Sequence, residues 1–166
     1  MIFSNCKSPR PVIVQLAAND ADNFSEATKI LQPYCDAVDL NLGCPQHIAR
    51  KGHYGAYLML EENDRDLVAE MISIASKHHK ISAKIRIFDD IDETIAYAKL
   101  IASAGASILT VHGRTIDQKR EKTGLASWKH IKGIVETSEL IFKSTIIFIK
   151  KIDRNKSFTG QIISSN

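Results

Sequence analysis

The chain has 166 residues, with 22 Lys and Arg against 19 Asp and Glu, so its formal net charge is +3. Hydrophobic residues at 44% and charged residues at 25% are globular proportions, and 8 Gly and 4 Pro exclude a collagen-like or linker-dominated chain. That length predicts one domain with a real core, and the small charge surplus does not by itself establish a nucleic-acid partner. Cys6, Cys35 and Cys44 are odd in number and show no paired spacing, which argues against a disulfide framework and for a reducing compartment. The late apolar run at 146–149 is far too short for a bilayer. The start, MIFSNCKSPRP, lacks the basic and apolar stretches of a secretory signal. The expectation is a soluble cytoplasmic protein, with the nucleus as a second compartment.

In chain order, Val12 to Leu16 is the first predicted strand. Asp22 or Asn23 caps a helix with Phe24, Ala27, Ile30 and Leu31 at helical spacing, and Pro33 stops it. Ala37 to Leu42 is the second strand and ends at Gly43-Cys44-Pro45. A Gly-rich, basic loop over 46–55 leads to a helix from about Asn63, with Leu67, Val68, Met71, Ile72 and Ala75 inward. Ile81 to Ile87 is the third strand. Asp92 caps the next helix, which buries Ile95, Leu100 and Ala102 and ends near Gly105. Ser107 to His112 is the fourth strand, and Ser127 caps a short helix holding Trp128 and Ile131. Beyond Gly133, residues 135–149 read as β-rich without a βα rhythm, and the remainder as a polar, frayed tail.

Alternating strands and helices imply parallel pairing through crossover helices, in a doubly wound sheet or part of a (β/α) barrel. The strand faces favour the barrel. Ser82, Lys84 and Arg86 share one face of the third strand, and Asp39 and Asn41 share one face of the second. Gln15 lies in the first strand and His112 ends the fourth, so polar chemistry gathers toward the C-terminal strand ends, where barrel active sites are built. No G-x-G-x-x-G or Walker A pattern supports the alternative. A whole barrel takes about 250 residues, so the predicted fold is α/β, the first half of a (β/α)8 TIM barrel. The expected division is 1–133 as partial barrel and 134–166 as an unrelated, poorly structured ending.

Most cysteines are inert, and that reading suffices for Cys6 and Cys35. Cys44 differs, because Gly43 permits a tight exit from the strand and Pro45 forces an extended conformation at the mouth. Taken alone, Lys84 reads as a solvated strand-end lysine and His112 as a hydrogen-bonded structural histidine. Lys119, Arg120 and Lys122 suit phosphate contact, although charge runs are usually solvated faces. His47, His53, His78 and His79 have no metal-ligand spacing, so no metal is expected.

Asp39-Leu-Asn-Leu-Gly-Cys-Pro45, followed by Lys51-Gly-His-Tyr-Gly-Ala56 and Leu58, resembles the signature of the tRNA dihydrouridine synthases. Lys84-Ile-Arg86 and Val111-His-Gly-Arg-Thr115 are similar to that family's next two strand ends, in the same order. Within the family, the sequence looks most like the eukaryotic branch acting at positions 20a/20b of the tRNA D-loop. The resemblance implies an FMN-binding TIM barrel that reduces uridine in tRNA at the expense of NADPH or NADH. It implies Cys44 as proton donor to uracil C5, FMN contacts from Gln15, Lys84 and His112, and Asn41 and Arg86 beside the uracil. A thiol with an ordinary pKa of about 8.5 is largely protonated at neutral pH and can donate, which suits this role.

The sequence also departs from the family pattern. Met1 to Arg10 shows no opening strand, and nothing after Gly133 offers a glycine-rich turn for the FMN phosphate. The sequence reads as a truncated or alternatively spliced form. The alternative to a synthase is therefore a non-catalytic fragment serving at most as a binding or regulatory product.

Overall fold

A computed structural model describes residues 10–141 and the strands at 146–149 and 162–163. The expected frayed tail, Cys6 and nearly all of the strandless start lie outside the described residues. The sheet consists of β1 (Ile13–Leu16), β2 (Ala37–Leu42), β3 (Ile81–Arg86), β4 (Ile108–His112), β5 (Ile146–Ile149) and β6 (Ile162–Ile163), neighbouring one another in that order. β1 to β5 pair in parallel and β6 pairs antiparallel to β5. A doubly wound sheet would reverse its strand order at a switch point, and these five parallel strands never do. Helices α1 (Ala21–Leu31), α3 (Glu62–Ser76), α4 (Ile91–Ser103) and α5 (Trp128–Ile141) make the crossovers and touch in sequence, α1 on α3, α3 on α4 and α4 on α5. One face of the sheet is thus covered by helices, as in part of a (β/α) barrel. A short α2 (His47–Lys51) and a 3₁₀ turn (Gly55–Met59) occupy the loop after β2.

Register separates the two faces. Leu40 lies opposite Ala83, which lies opposite Leu109, while Asn41, Lys84 and Thr110 form the next row on the other side. On the helix side Val38, Leu40, Leu42, Ala83, Ile85, Leu109 and Val111 are fully buried with Val68, Met71 and Ile72 of α3. Each large apolar side chain contributes about 1.5–3 kcal/mol by leaving water.

Local departures from the sequence reading have physical causes. The cap of α1 is Asp20, whose extended backbone lets its carboxylate accept from the Asn23 N–H at 2.8 Å. Asp22 falls instead in the first turn, where a negative charge favours the helix dipole. Ile30 is 63% exposed, because α1 turns Phe24, Ser25 and Thr28 inward. The buried Thr28 hydroxyl is satisfied by donating to the Phe24 carbonyl at 2.8 Å. Asp90, not Asp92, caps α4, accepting from the Asp92 and Glu93 N–H groups. The inward stripe of α4 is Thr94, Tyr97, Ala98 and Ile101, leaving Ile95, Leu100 and Ala102 only partly covered. The expected β character of 135–141 gives way to helix, since α5 continues to Ile141. Gly133 sits within that helix, where a Cβ would come 3.1 Å from Ile91 Cδ1, so its bare backbone lets α5 pack closely on α4.

Candidate active site

The uncovered face carries the polar residues of the parallel strands. Gln15 is in register with Asp39, and Asp39 with Ser82. Asn41 is in register with Lys84, and Arg86 with His112. All six sequence-predicted positions therefore converge, five on this face and Cys44 on the turn that β2 feeds. Asn41 Nδ2 donates to Gln15 Oε1 at 2.9 Å, and Gln15 Nε2 donates to Asp39 Oδ2 at 2.7 Å. Lys84 approaches the turn closely, its Nζ lying 3.6 Å from the point a Gly43 Cβ would occupy.

The Gly43-Cys44-Pro45 turn is held through its backbone. Asn41 Oδ1 accepts from the N–H groups of Gly43 at 3.0 Å and Cys44 at 3.1 Å. Arg86 Nε donates to the Gly43 carbonyl at 2.9 Å, and the Ala56 N–H donates to the Cys44 carbonyl at 3.1 Å. The Pro45 carbonyl accepts from the Tyr57 hydroxyl and from Lys119 Nζ, each at 3.1 Å. Gly55, at φ +70°, permits the close approach of its backbone to Cys44, since a Cβ there would lie 2.9 Å from Cys44 Cβ. Every carbonyl of the turn is occupied, which fixes the thiol's origin while leaving the side chain half-buried.

Arg86 is 6% exposed and spends Nε and Nη1 on carbonyl oxygens of Gly43, Thr115 and Gln118. Burial, and then the neighbouring Arg114, pull its pKa below the ordinary arginine value, although a guanidinium stays charged. Arg114 Nη1 lies 3.2 Å from His112 Nε2, so that ring nitrogen is the acceptor and Nδ1 carries the proton. Beside these groups opens a cleft of about 1470 Å³ lined by Pro45, Tyr57, Arg86, His112, Arg114 and Lys119. Arg50 and Arg120 also reach it, and Glu121 is the one acidic residue among the described residues that line it, so the cleft favours an anionic ligand. Arg120 there holds a left-handed backbone at φ +53°.

Sequence reasoning assigned no role to Asp39, Ser82 or Tyr57 and none beyond phosphate contact to Lys119. The same-face spacing of Asp39 and Ser82 was a usable signal. Nothing local announces that Lys119 reaches Pro45 across 74 residues.

Residues 1–145 match the family model described as dihydrouridine synthase (Dus). The chain belongs to the dihydrouridine synthase family. It is 50% identical over 133 residues to a mouse protein named tRNA-dihydrouridine(16/17) synthase [NAD(P)(+)]-like, covering 78% of this chain and 27% of that one. It is 49% identical over 141 residues to the Saccharomyces cerevisiae tRNA-dihydrouridine(16/17) synthase, covering 84% and 32%. A mouse tRNA-dihydrouridine(20a/20b) synthase-like protein is 37% identical over 163 residues, covering 95% and 49%. The 20a/20b likeness is thus real, and the 16/17-type relatives stand nearer. The chain spans between about a quarter and a half of the length of these dihydrouridine synthases. In fold it is similar to dihydrodipicolinate synthase from Agrobacterium tumefaciens, with a TM-score of 0.53 at 18% identity, over 82% of this chain and 42% of that one.

Proposed function

We propose that this chain carries the uridine-reducing chemistry of a tRNA dihydrouridine synthase, with FMN as resident cofactor, NADPH or NADH as reductant and the tRNA D-loop as substrate. The observation that carries this reading is the pinned Gly43-Cys44-Pro45 turn at the C-terminal end of β2, beside a polar face and a basic cleft.

The donor set fits a flavin. Gln15 keeps one N–H and one lone pair beyond its two bonds, Lys84 brings an ammonium group and His112 a ring edge, all on one face. An isoalloxazine edge alternates acceptors and donors, and such an array complements it. When bound, FMN supplies hydride for addition to uracil C6. Lys84 holds positive charge at the strand ends, where it favours the anionic character that accompanies reduction. Cys44 gives its thiol proton to C5, quenching the enolate charge that hydride addition creates. Asn41 and Arg86 fix the turn and thereby the position of Sγ, and as its neighbours are the residues assigned to the uracil. The basic cleft draws the RNA backbone toward this mouth. The names of the relatives carry tRNA and NAD(P)(+), which supports the tRNA substrate and the nicotinamide reductant.

The test is direct. The purified full chain is assayed for bound flavin by its visible absorbance and for NADPH-dependent dihydrouridine formation in tRNA. A yellow protein that reduces tRNA uridine is expected. A colourless chain that leaves uridine untouched overturns the reading for this chain.

A further inference from the structure

We propose that Asp39 is a positioning residue, the acceptor end of a one-way hydrogen-bond chain that sets the facing of the Gln15 and Asn41 amides and, through Asn41, holds the Cys44 turn. The proposal deepens the reading of the site as a flavin- and cysteine-bearing centre and rests on it for the cofactor side.

Asp39 is 6% exposed. Its Oδ1 accepts from Ser82 Oγ at 2.5 Å and its Oδ2 from Gln15 Nε2 at 2.7 Å. Both of these donors are uncharged. Burying a carboxylate costs stability that neutral donors offset only in part, and such an expense points to a task.

The task follows from direction. Primary amides are nearly symmetric in shape, and Gln and Asn can be turned over with little change in packing. Here the run is anchored at both ends by groups with a single role. The backbone N–H groups of Gly43 and Cys44 can only donate, so Asn41 turns its Oδ1 to them. Asn41 Nδ2 then faces Gln15 Oε1, and Gln15 Nε2 faces the carboxylate, which can only accept. Reversing either amide would set oxygen against oxygen at one link and N–H against N–H at the next. Asp39, with the turn at the other end, therefore locks which side of Gln15 offers a hydrogen to a ligand and which offers a lone pair. It also keeps Asn41 committed to the cysteine turn. An asparagine in place of Asp39 has the same shape and can present either atom, so the direction is held from the turn end alone.

The experiment uses the full chain and two readouts that need no turnover. The first is the rate of Cys44 alkylation by iodoacetamide, followed by peptide mass spectrometry. The second is FMN affinity from quenching of flavin fluorescence. Asp39→Asn is expected to speed Cys44 alkylation by about tenfold, as the turn opens more often. In the double variant Gln15→Glu/Asp39→Asn, the amide introduced on β2 can donate to the carboxylate introduced on β1. The other oxygen of that new carboxylate accepts from Asn41, so Asn41 keeps its facing although the link between positions 15 and 39 runs the other way. The pair should bring alkylation back to within about twofold of wild type, although the Gln15 amide is gone and FMN affinity falls below that of wild type. An unchanged alkylation rate in folded Asp39→Asn, or a double variant no slower than the single one, overturns the proposal. Should Asp39→Asn fail to fold, the wild-type chain still decides. Hydrogen exchange at the Gln15 and Asn41 side-chain amides should be slowed by about tenfold or more against free amides. Unprotected amides would overturn the proposal. Absence of FMN binding in the wild type would instead overturn the flavin reading and leave the alkylation result standing.

Discussion

β2 has a cysteine near each end, and the two meet opposite fates. Cys35 precedes the strand, is 3% exposed and donates to the Leu31 carbonyl at 3.4 Å, and burial pushes its thiol pKa up. Cys44 follows the strand on a turn whose peptide groups are held by Asn41, Arg86, Ala56, Tyr57 and Lys119. One thiol fills the core and the other is presented. The difference lies in the backbone after β2, where a glycine and a proline bracket the residue and a left-handed Gly55 lies against it. A parallel strand delivers chemistry at its C-terminal end because the loop there is free to be shaped.

The sharpest way to break this comparison is to remove each thiol in turn. Cys44→Ala should cut dihydrouridine formation by ~10²–10⁴-fold, the range for a lost general acid, with flavin retained. Cys35→Ala should leave turnover close to wild type. Full turnover in Cys44→Ala, measured by loss of tRNA uridine, removes Cys44 from the chemistry. The next effect falls on the part of β2 that serves both ends. Leu40 is fully buried, and Leu40→Ala should cost about 2–5 kcal/mol in denaturant unfolding. A loss near zero would mean that the helix-facing side of β2 is not the core.

Gly55→Ala acts on one end only. The left-handed backbone alone costs a side chain about 1–2 kcal/mol, and the new Cβ must displace Cys44 Cβ from 2.9 Å. Cys44 should become more reactive toward iodoacetamide while Cys35 stays unchanged. Equal change at both thiols would show a global loosening instead of a local one.

The barrel winding is legible because polar residues recur with period two on the second and third strands, and Gln15 and His112 add polar groups to the first and fourth. The Gly-Cys-Pro turn was legible because its residues restrict the backbone in a way that sequence records directly. The inward face of α1 departs from the apolar spacing at Ile30, since Thr28 satisfies its own hydroxyl within the helix and so can be buried. The extent of α5 is not legible, because Gly133 looks like a break in the sequence and is instead a packing site against Ile91 and Ile95. Asp39 carried a signal but no meaning. Its role depends on Ser82 and Gln15, which meet it only after three strands align.

The smallest effect belongs to the opposite end of β2 and is read by pH. Asp36 accepts from the Val12 N–H at 2.7 Å and from Arg10 Nη1 at 2.7 Å, tying the start of β1 to β2. The Val12 N–H first, and Arg10 second, hold its carboxyl below the usual carboxylate range. A depressed folded pKa contributes stability that is complete above the unfolded value of about 3.9 and disappears as pH falls through the folded value. Wild type should therefore lose part of its thermal midpoint on acidification below about pH 4, and Asp36→Asn should lose less over the same interval. Because a backbone N–H is the larger cause, about 0.5 M salt should remove little of the difference, since screening acts on the exposed Arg10 charge and not on the peptide bond. Arg10→Ala should accordingly shift the acid limb less than Asp36→Asn does. If salt or Arg10→Ala abolished the difference, the ion pair would be the main tie between the strands. Cys44 alkylation should be indifferent to all of these changes, since none reaches the other end of β2.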